Sequence, residues 1–393
     1  MTLFSNIYPD HPSKGPWLLV AGHLPPPTHG MAVATAAFAD LLREECETSG
    51  VELRLHQISA DRTSSRTFHH IQRLARVLHG GVLVARRHRT LRALYISADA
   101  GLGMFYTMLL TLVARLVQRP SFIHHHSVAY LGNRPDAKMK ALCRVAGARA
   151  THIFGCSLMA ERFTQLYRYN NVGVVPISFA IDYPASSPDH LGSSFKPPPK
   201  RNSGPPFQIT IGHLSNLSVA KGLRDVFRTA DCLTALGAAV SLVLAGPPAT
   251  PSDAQVLDQL LNDRPYPVAY LGPVHGLERE AFFRSLDIFL FPSRYRHESF
   301  GLVAGEALGR GIPIVAYTNG CLTSDFVANG GYALSKSLDF PTEAAEWILD
   351  NYSHPQQWEK IQISAKAFHE SCNEATRDAQ LAAAKMVEGS NSW

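Results

Sequence analysis

Residues 288–316 read IFLFPSRYRHESFGLVAGEALGRGIPIVA. Ile288 to Phe291 is a four-residue apolar run with no polar face, too short for a helix, and Pro292-Ser293 ends it. Such a run is a strand covered on both sides. After a polar loop, an apolar helix opens near Leu302, and Gly311-Ile312-Pro313 leads into a second apolar run at 314–316. Strand, loop, helix and strand in this order make a parallel βα unit, because a parallel neighbour is reached only by a crossover.

The same rhythm extends outward in both directions. Upstream, strands are expected at 17–21, 51–58, 93–97, 122–126, 152–156 and 172–177, and a second series starts at 207–212, 240–245 and 269–271. Between the two series, residues 184–206 are rich in Pro, Ser and Gly and read as a linker. At roughly 150 residues per domain, 393 residues suit more than one core. The expected fold is α/β: two doubly wound, Rossmann-like parallel-sheet domains, 1–183 and 207–369, facing a cleft. The helical segment 370–393 is expected to pack back on the first domain. In such sheets ligands bind at the carboxyl ends of the strands.

Composition narrows the function classes. With 46% hydrophobic, 18% charged and 9% aromatic residues the chain is globular, neither disordered nor fibrous. Its 6 cysteines show no C-x₂-C spacing, which excludes a zinc cluster of that kind. The N-terminus lacks the charged-then-apolar run of a secretory signal, and the most apolar stretch, 102–117, contains Arg115 and falls short of the roughly 20 apolar residues of a spanning helix. The chain reads as cytoplasmic. Residues 1–180 hold 20 Lys/Arg against 10 Asp/Glu, whereas the remainder is acidic. Between Arg62 and Arg92 stand eight arginines, four histidines and no acid. That stretch, with its neighbours Leu74, Val77, Leu78, Val82 and Leu83, suits an anionic membrane surface; a solvated basic helix is the plain alternative. Nucleic acid is not expected as a partner, since no recognition motif or aromatic interleaving accompanies the charge.

Four segments carry chemistry in this frame. Pro25-Pro26-Pro27-Thr28-His29-Gly30 follows the first strand and opens a helix, where backbone amides and the dipole suit a phosphate. Gly212-His213-Leu214-Ser215 with Lys221-Gly222 repeats the device in the second domain. Lys221 adds a mobile point charge, and His213 a donor if protonated. Glu298 and Glu306 lie eight apart around Phe300-Gly301-Leu302. Carboxylates grip sugar hydroxyls, and the Phe300, Gly301 and Leu302 amides would face an anion. In His124-His125-His126, the first and third share a strand face, and no fourth ligand nearby supports a metal.

In this order, together with Val175-Pro176, Leu244-Ala245-Gly246-Pro247, Tyr270-Leu271-Gly272-Pro273-Val274 and Gly311-Ile312-Pro313, the segments resemble glycosyltransferase family 4, the group 1 retaining GT-B enzymes. The resemblance implies a hexosyltransferase that uses a nucleotide-diphosphate sugar as substrate, with no cofactor and no metal, the leaving diphosphate being held by electrostatics. It implies a front-face mechanism assisted by the donor's own phosphate, and a glycan or polyprenyl-linked acceptor in polysaccharide or glycoconjugate synthesis, on the cytoplasmic side and peripheral to the membrane. Glu298 would hold donor hexose hydroxyls and Glu306 the ribose. Phe300, Gly301 and Leu302 would present amides to sugar and phosphate. Lys221 would neutralise the diphosphate, Gly30 would approach it, and His126, with His124 as fallback, would contact the donor sugar.

Two departures stand out. His213 occupies the place of the family's usual Arg, and an imidazole neutral at pH 7 stabilises a leaving group less. The family's Gly-Gly-x-x-Glu is replaced by Asn319-Gly320-Cys321-Leu322-Thr323-Ser324-Asp325, where Asp325 is the stand-in acid. Two other functions fit the same pattern. One is a nucleotide-sugar epimerase of this fold, which would need no acceptor. The other is a non-catalytic nucleotide-sugar-binding or scaffold paralogue, for which His213 speaks.

Overall fold

A computed structural model describes residues 15–26, 29–60, 66–181, 208–323, 327 and 330–390. The linker at 184–206, Asp325, Pro27 and Thr28, and the start of the basic stretch at 62–65 lie outside the described residues. The chain divides into two compact units, Met1–Ala180 with Asn373–Trp393, and Ile181–Cys372.

The first unit alternates strand and helix: β1 Trp17–Gly22, α1 Gly30–Thr48, β2 Glu52–Gln57, α2 Arg66–Arg87, β3 Leu91–Ala98, α3 Met104–Leu116, β4 Ser121–His125, α4 Ala137–Ala146, β5 Ala150–Phe154, α5 Ser157–Tyr167 and β6 Val172–Val174. The strands form one parallel sheet in the order β2-β1-β3-β4-β5-β6. β1, β4 and β5 are buried at every position, as a sheet covered on both faces requires. The core joins Leu18, Val20, Phe38, Leu42, Tyr95 and Phe122 to Ala379, Ala382, Ala383, Met386 and Val387 from the far end of the chain. Those last five recur at helical spacing, and their alanines let the helix lie close.

The second unit runs β7 Gln208–Leu214, α6 Leu223–Ala235, β8 Ala239–Ala245, α7 Pro251–Leu261, β9 Val268–Tyr270, α8 Gly276–Arg284, β10 Ile288–Phe291, α9 Leu302–Gly309, β11 Ile314–Tyr317, β12 Gly331–Leu334, α10 Phe340–Tyr352 and α11 Pro355–Glu388, whose last turns belong to the first unit. Its parallel sheet has the order β12-β11-β10-β7-β8-β9. β12 was not expected from sequence. It begins with glycine and no residue of it alternates, yet a Cβ on Gly331 would lie 1.8 Å from the Ile314 carbonyl oxygen, so glycine is what lets this strand pair with β11.

A buried histidine pair in the first sheet contributes to the pH response. His125 Nε2 lies 2.7 Å from His152 Nδ1, and the two rings stack at 5.0 Å among Phe154 and Phe163. Burial holds His125 well below the usual histidine range, and burial holds His152 down at about 3. Their remaining nitrogens, His125 Nδ1 and His152 Nε2, have no hydrogen-bond partner, so an added proton would be buried without an acceptor. The unfolded chain takes up these protons below about pH 6.5 and the folded chain does not, so stability is full above that pH and falls as pH drops toward 3. Thermal melts from pH 7.5 to 5 should show a falling Tm. Replacing both rings by phenylalanine should make that limb shallower, His124, His126 and His213 supplying the rest, and an unchanged slope would show that this pair does not contribute.

Candidate functional site

In the second sheet β7 connects through α6 to β8 on one side, while β10 lies on its other side. The connections leaving β7 and β10 therefore diverge, which opens the crevice where doubly wound sheets take ligands. Two loops fill this place. After β7, the Ser218 hydroxyl accepts from the Lys221 amide at 3.2 Å and caps a short turn that delivers Lys221-Gly222. Gly222 has φ +85°, and a Cβ there would stand 2.4 Å from the Pro292 carbonyl oxygen at the end of β10. Only glycine allows that approach. It brings the Lys221 ammonium onto the Glu298 carboxylate, which also accepts from Ser293 Oγ at 2.9 Å. The ammonium lies 4.9 Å from the centre of the Tyr295 ring. Lys221 is thus anchored, not the mobile point charge its sequence suggested.

His213 also departs from expectation. Its ring is fully buried. Nδ1 lies 2.9 Å from the Leu290 carbonyl oxygen and Nε2 2.9 Å from Ser215 Oγ. A carbonyl only accepts, so Nδ1 carries the hydrogen and Nε2 accepts from the Ser215 hydroxyl. Burial, aided by the Lys221 charge, lowers its pKa to about 4. A neutral ring with both nitrogens engaged is no donor to a diphosphate. Its role is to join β7 to β10 and to orient Ser215.

α9 begins as the sequence indicated. Gly301 precedes it with φ +76°, and a Cβ would come 2.5 Å from the Phe291 ring. Phe300 is buried beside it, and Leu302 is the first helical residue. The leading amides of a helix have no partner within the helix and lie at its positive end. One turn in, Glu306 is buried and pairs with Arg279 of α8, a partner the sequence did not suggest. The Arg310 guanidinium donates to the Glu306 carbonyl at 3.0 Å.

In the first unit, Gly30 is the first residue of α1, and a Cβ there would meet nothing within 4 Å. His29 caps that helix, its Nδ1 accepting from the Ala32 amide at 3.2 Å. His124 and His126 share a face, ring centres 4.3 Å apart, while His125 points to the opposite side. His124 is a core residue, its Nδ1 held by the Tyr95 hydroxyl at 2.7 Å. His126 lies just past β4 with Nε2 buried and without a partner, and burial, with His23 and His29 adding to it, lowers its pKa to about 3. Among the described residues no group of three His, Cys, Asp or Glu is placed to hold a metal ion. Sequence reading missed a further group in this unit, His23, Arg73 and Asp99. Its one signal was an acid at the end of a strand followed by Gly101-Leu102-Gly103.

The Gly222 contact yields a stability prediction. Gly222→Ala should cost about 1–3 kcal/mol, because a left-handed φ and a collision with backbone coincide. Urea unfolding that leaves the midpoint unmoved would mean the two loops can part without penalty.

Residues 208–353 match the family model described as glycosyl transferases group 1. No curated protein matches the chain by sequence. Among solved structures, HepE of Anabaena in complex with UDP-glucose aligns with TM-score 0.63 at 15% identity, over 93% of this chain and 98% of its own. The sucrose-phosphate synthase of Thermosynechococcus elongatus aligns with TM-score 0.63 at 14% identity, over 94% and 98%. WaaG, a glycosyltransferase involved in lipopolysaccharide biosynthesis, aligns with TM-score 0.62 at 13% identity, over 95% and 100%. At such identity the likeness is one of fold. The fold is GT-B, and over residues 208–353 the chain is similar to the glycosyl transferases of group 1.

Proposed function

We propose that this protein transfers a hexose from a nucleotide-diphosphate sugar to a glycan or polyprenyl-linked acceptor, with retention and without a metal, in cell-surface polysaccharide or glycoconjugate synthesis. The observation that carries this reading is the Lys221–Glu298 pair at the divergence of β7 and β10, beside the amino end of α9. A cation, a sugar-gripping carboxylate and helix amides within one loop system suit a diphosphate joined to a hexose. HepE, similar in fold, has been crystallised with UDP and UDP-glucose, which favours the same donor class here. We assign Glu298 to hexose hydroxyls, Glu306 to the ribose, and Lys221 with the Phe300, Gly301 and Leu302 amides to the phosphates. From the first unit we assign Gly30 to the diphosphate and His126 to the donor sugar.

We place the enzyme on the cytoplasmic side, against an anionic membrane surface. No helix among the described residues is long and apolar enough to cross a membrane. α2 instead exposes Phe68, Ile71, Leu74, Leu78 and Val82 along one side, each 44–58% exposed. The structure amends the sequence reading of this stretch. Val77 is core and Leu83 half-buried, Arg73 turns inward to Asp99, and Arg87 lies over the Trp17 ring with its guanidinium near Glu52. Arg86, Arg89 and Arg92 stay exposed at its carboxyl end. An apolar stripe with arginines at one end suits the boundary between anionic headgroups and acyl chains.

Thermal melts with UDP, GDP and ADP and their sugars test the donor site. One nucleotide should raise the wild-type Tm by mass action, and Glu306→Ala should abolish the shift. Gly30→Ala should leave stability intact, since its surroundings are open, yet weaken the nucleotide sugar. A chain indifferent to every nucleotide would instead be a scaffold. In flotation assays, recovery should depend on anionic lipid and fade with salt, and equal recovery with neutral vesicles would refute the membrane face.

A further inference from the structure

We propose that Arg279 fixes the Glu306 carboxylate for the vicinal hydroxyls of a ribose, and that the pair restricts the donor to ribonucleoside diphosphate sugars against their 2′-deoxy counterparts. The inference rests on the assignment of Glu306 made above, deepens it to a substrate class, and lies wholly within the second unit.

α8 runs into β10 and α9 follows it, and both helices feed one core cluster, Phe282 and Phe283 from α8 and Ala304, Ala307 and Leu308 from α9. Arg279 belongs to α8 and Glu306 to α9. The Arg279 guanidinium donates through Nη2 to Glu306 Oε2. The pair is lopsided, since 6% of the Glu306 side chain is exposed against 33% of Arg279. The carboxylate lies deep and its cation at the rim.

The two helices are braced without Arg279. Arg310, at the end of α9, donates from Nε to Glu280 Oε2 at 2.8 Å and from Nη1 to the Glu306 carbonyl at 3.0 Å, its guanidinium lying over the Phe283 ring. Arg284 donates to the other Glu280 oxygen at 3.0 Å. Arg279 is less well provided: among the described residues its Nε is buried with no hydrogen-bond partner. A buried donor left unmade is a cost, so this arginine is not placed for its own hydrogen bonds. The carboxylate dictates its position.

A carboxyl group this far from water and without a counter-charge takes up a proton, and one of its oxygens then donates. Held by a guanidinium it stays ionised and only accepts. The 2′ and 3′ hydroxyls of a ribose are donors on neighbouring carbons, and 2′-deoxyribose keeps only one of them. A site arranged around a hydroxyl rejects the analogue that lacks it, because the protein group is left unpaired. Arg279 thus turns a buried acid into a selective acceptor by acting through Glu306, which makes it a positioning residue.

Calorimetry on the full chain with UDP, GDP, ADP and the 2′-deoxy form of each gives the ratio of the paired dissociation constants. In the wild type the ribose form should bind about 10–100-fold more tightly. Arg279→Gln should bring the ratio close to unity, chiefly by weakening the ribose form. Arg279→Lys restores the charge without the planar fork and should recover part of the preference. Each ratio is taken within one folded variant, so a general loss of stability cancels, and the Lys variant carries the test if the Gln variant does not fold. Glu280→Gln loosens the brace between α8 and α9 and should keep the wild-type ratio. An equal fall in Glu280→Gln would assign the effect to the brace and overturn the role of Arg279, as would a wild-type ratio in both Arg279 variants. A wild type that binds both forms of a nucleotide equally overturns the selectivity and Glu306 as ribose ligand, while the donor class stands. A wild type that binds no nucleotide overturns the transferase reading itself.

Discussion

Parallel pairing throughout both sheets is the constraint from which the rest of the molecule follows. Each strand must be re-entered from the same end, so a helix crosses back after almost every one and both faces are covered. Covered faces disfavour polar groups, which is why β1 and β10 are continuous apolar runs. Carboxyl ends of the strands all lie along one edge of each sheet. Polar chemistry that the faces exclude collects there, and most densely where the connections part, at β7 and β10 in one unit and at β1 and β3 in the other.

At both places the charged groups are mutually satisfied. Lys221 meets Glu298 and Arg73 meets Asp99. An isolated charge removed this far from water would be costly, and pairing relieves that cost while fixing geometry. The buried histidines take the other solution and stay neutral. His213 spends both nitrogens on fixed partners, and His124 spends one on Tyr95. In these two clusters charge is therefore confined to a few held positions.

Much of this was legible in the sequence because apolar runs and glycines report local requirements. Ile288–Phe291 stands where the run lies, and the helix starts at Leu302 as its glycine suggests. β12 was illegible, since its glycines read as a turn and its place depends on β11. The sequence pattern singled out Lys221, Glu298 and Glu306 but not their ties to one another, to Arg279 and to Ser293, which the fold creates. His23, Arg73 and Asp99 stand far apart in the chain and acquire meaning only when β1 and β3 pair. Arg73 was masked further by the basic run around it, which drew attention to the surface.

The 34-residue α11 carries one more implication. Trp358 belongs to the core of the second unit, whereas Ala379, Ala382, Ala383, Met386 and Val387 complete the core of the first. The unit that leaves the ribosome first therefore lacks part of its interior until residues 379–387 are made. Its hydrophobic seam around Phe38 and Leu42 stays open through synthesis of the entire second unit, a long interval at about 5–20 residues per second. Translation order and closure order are thus inverted in this chain.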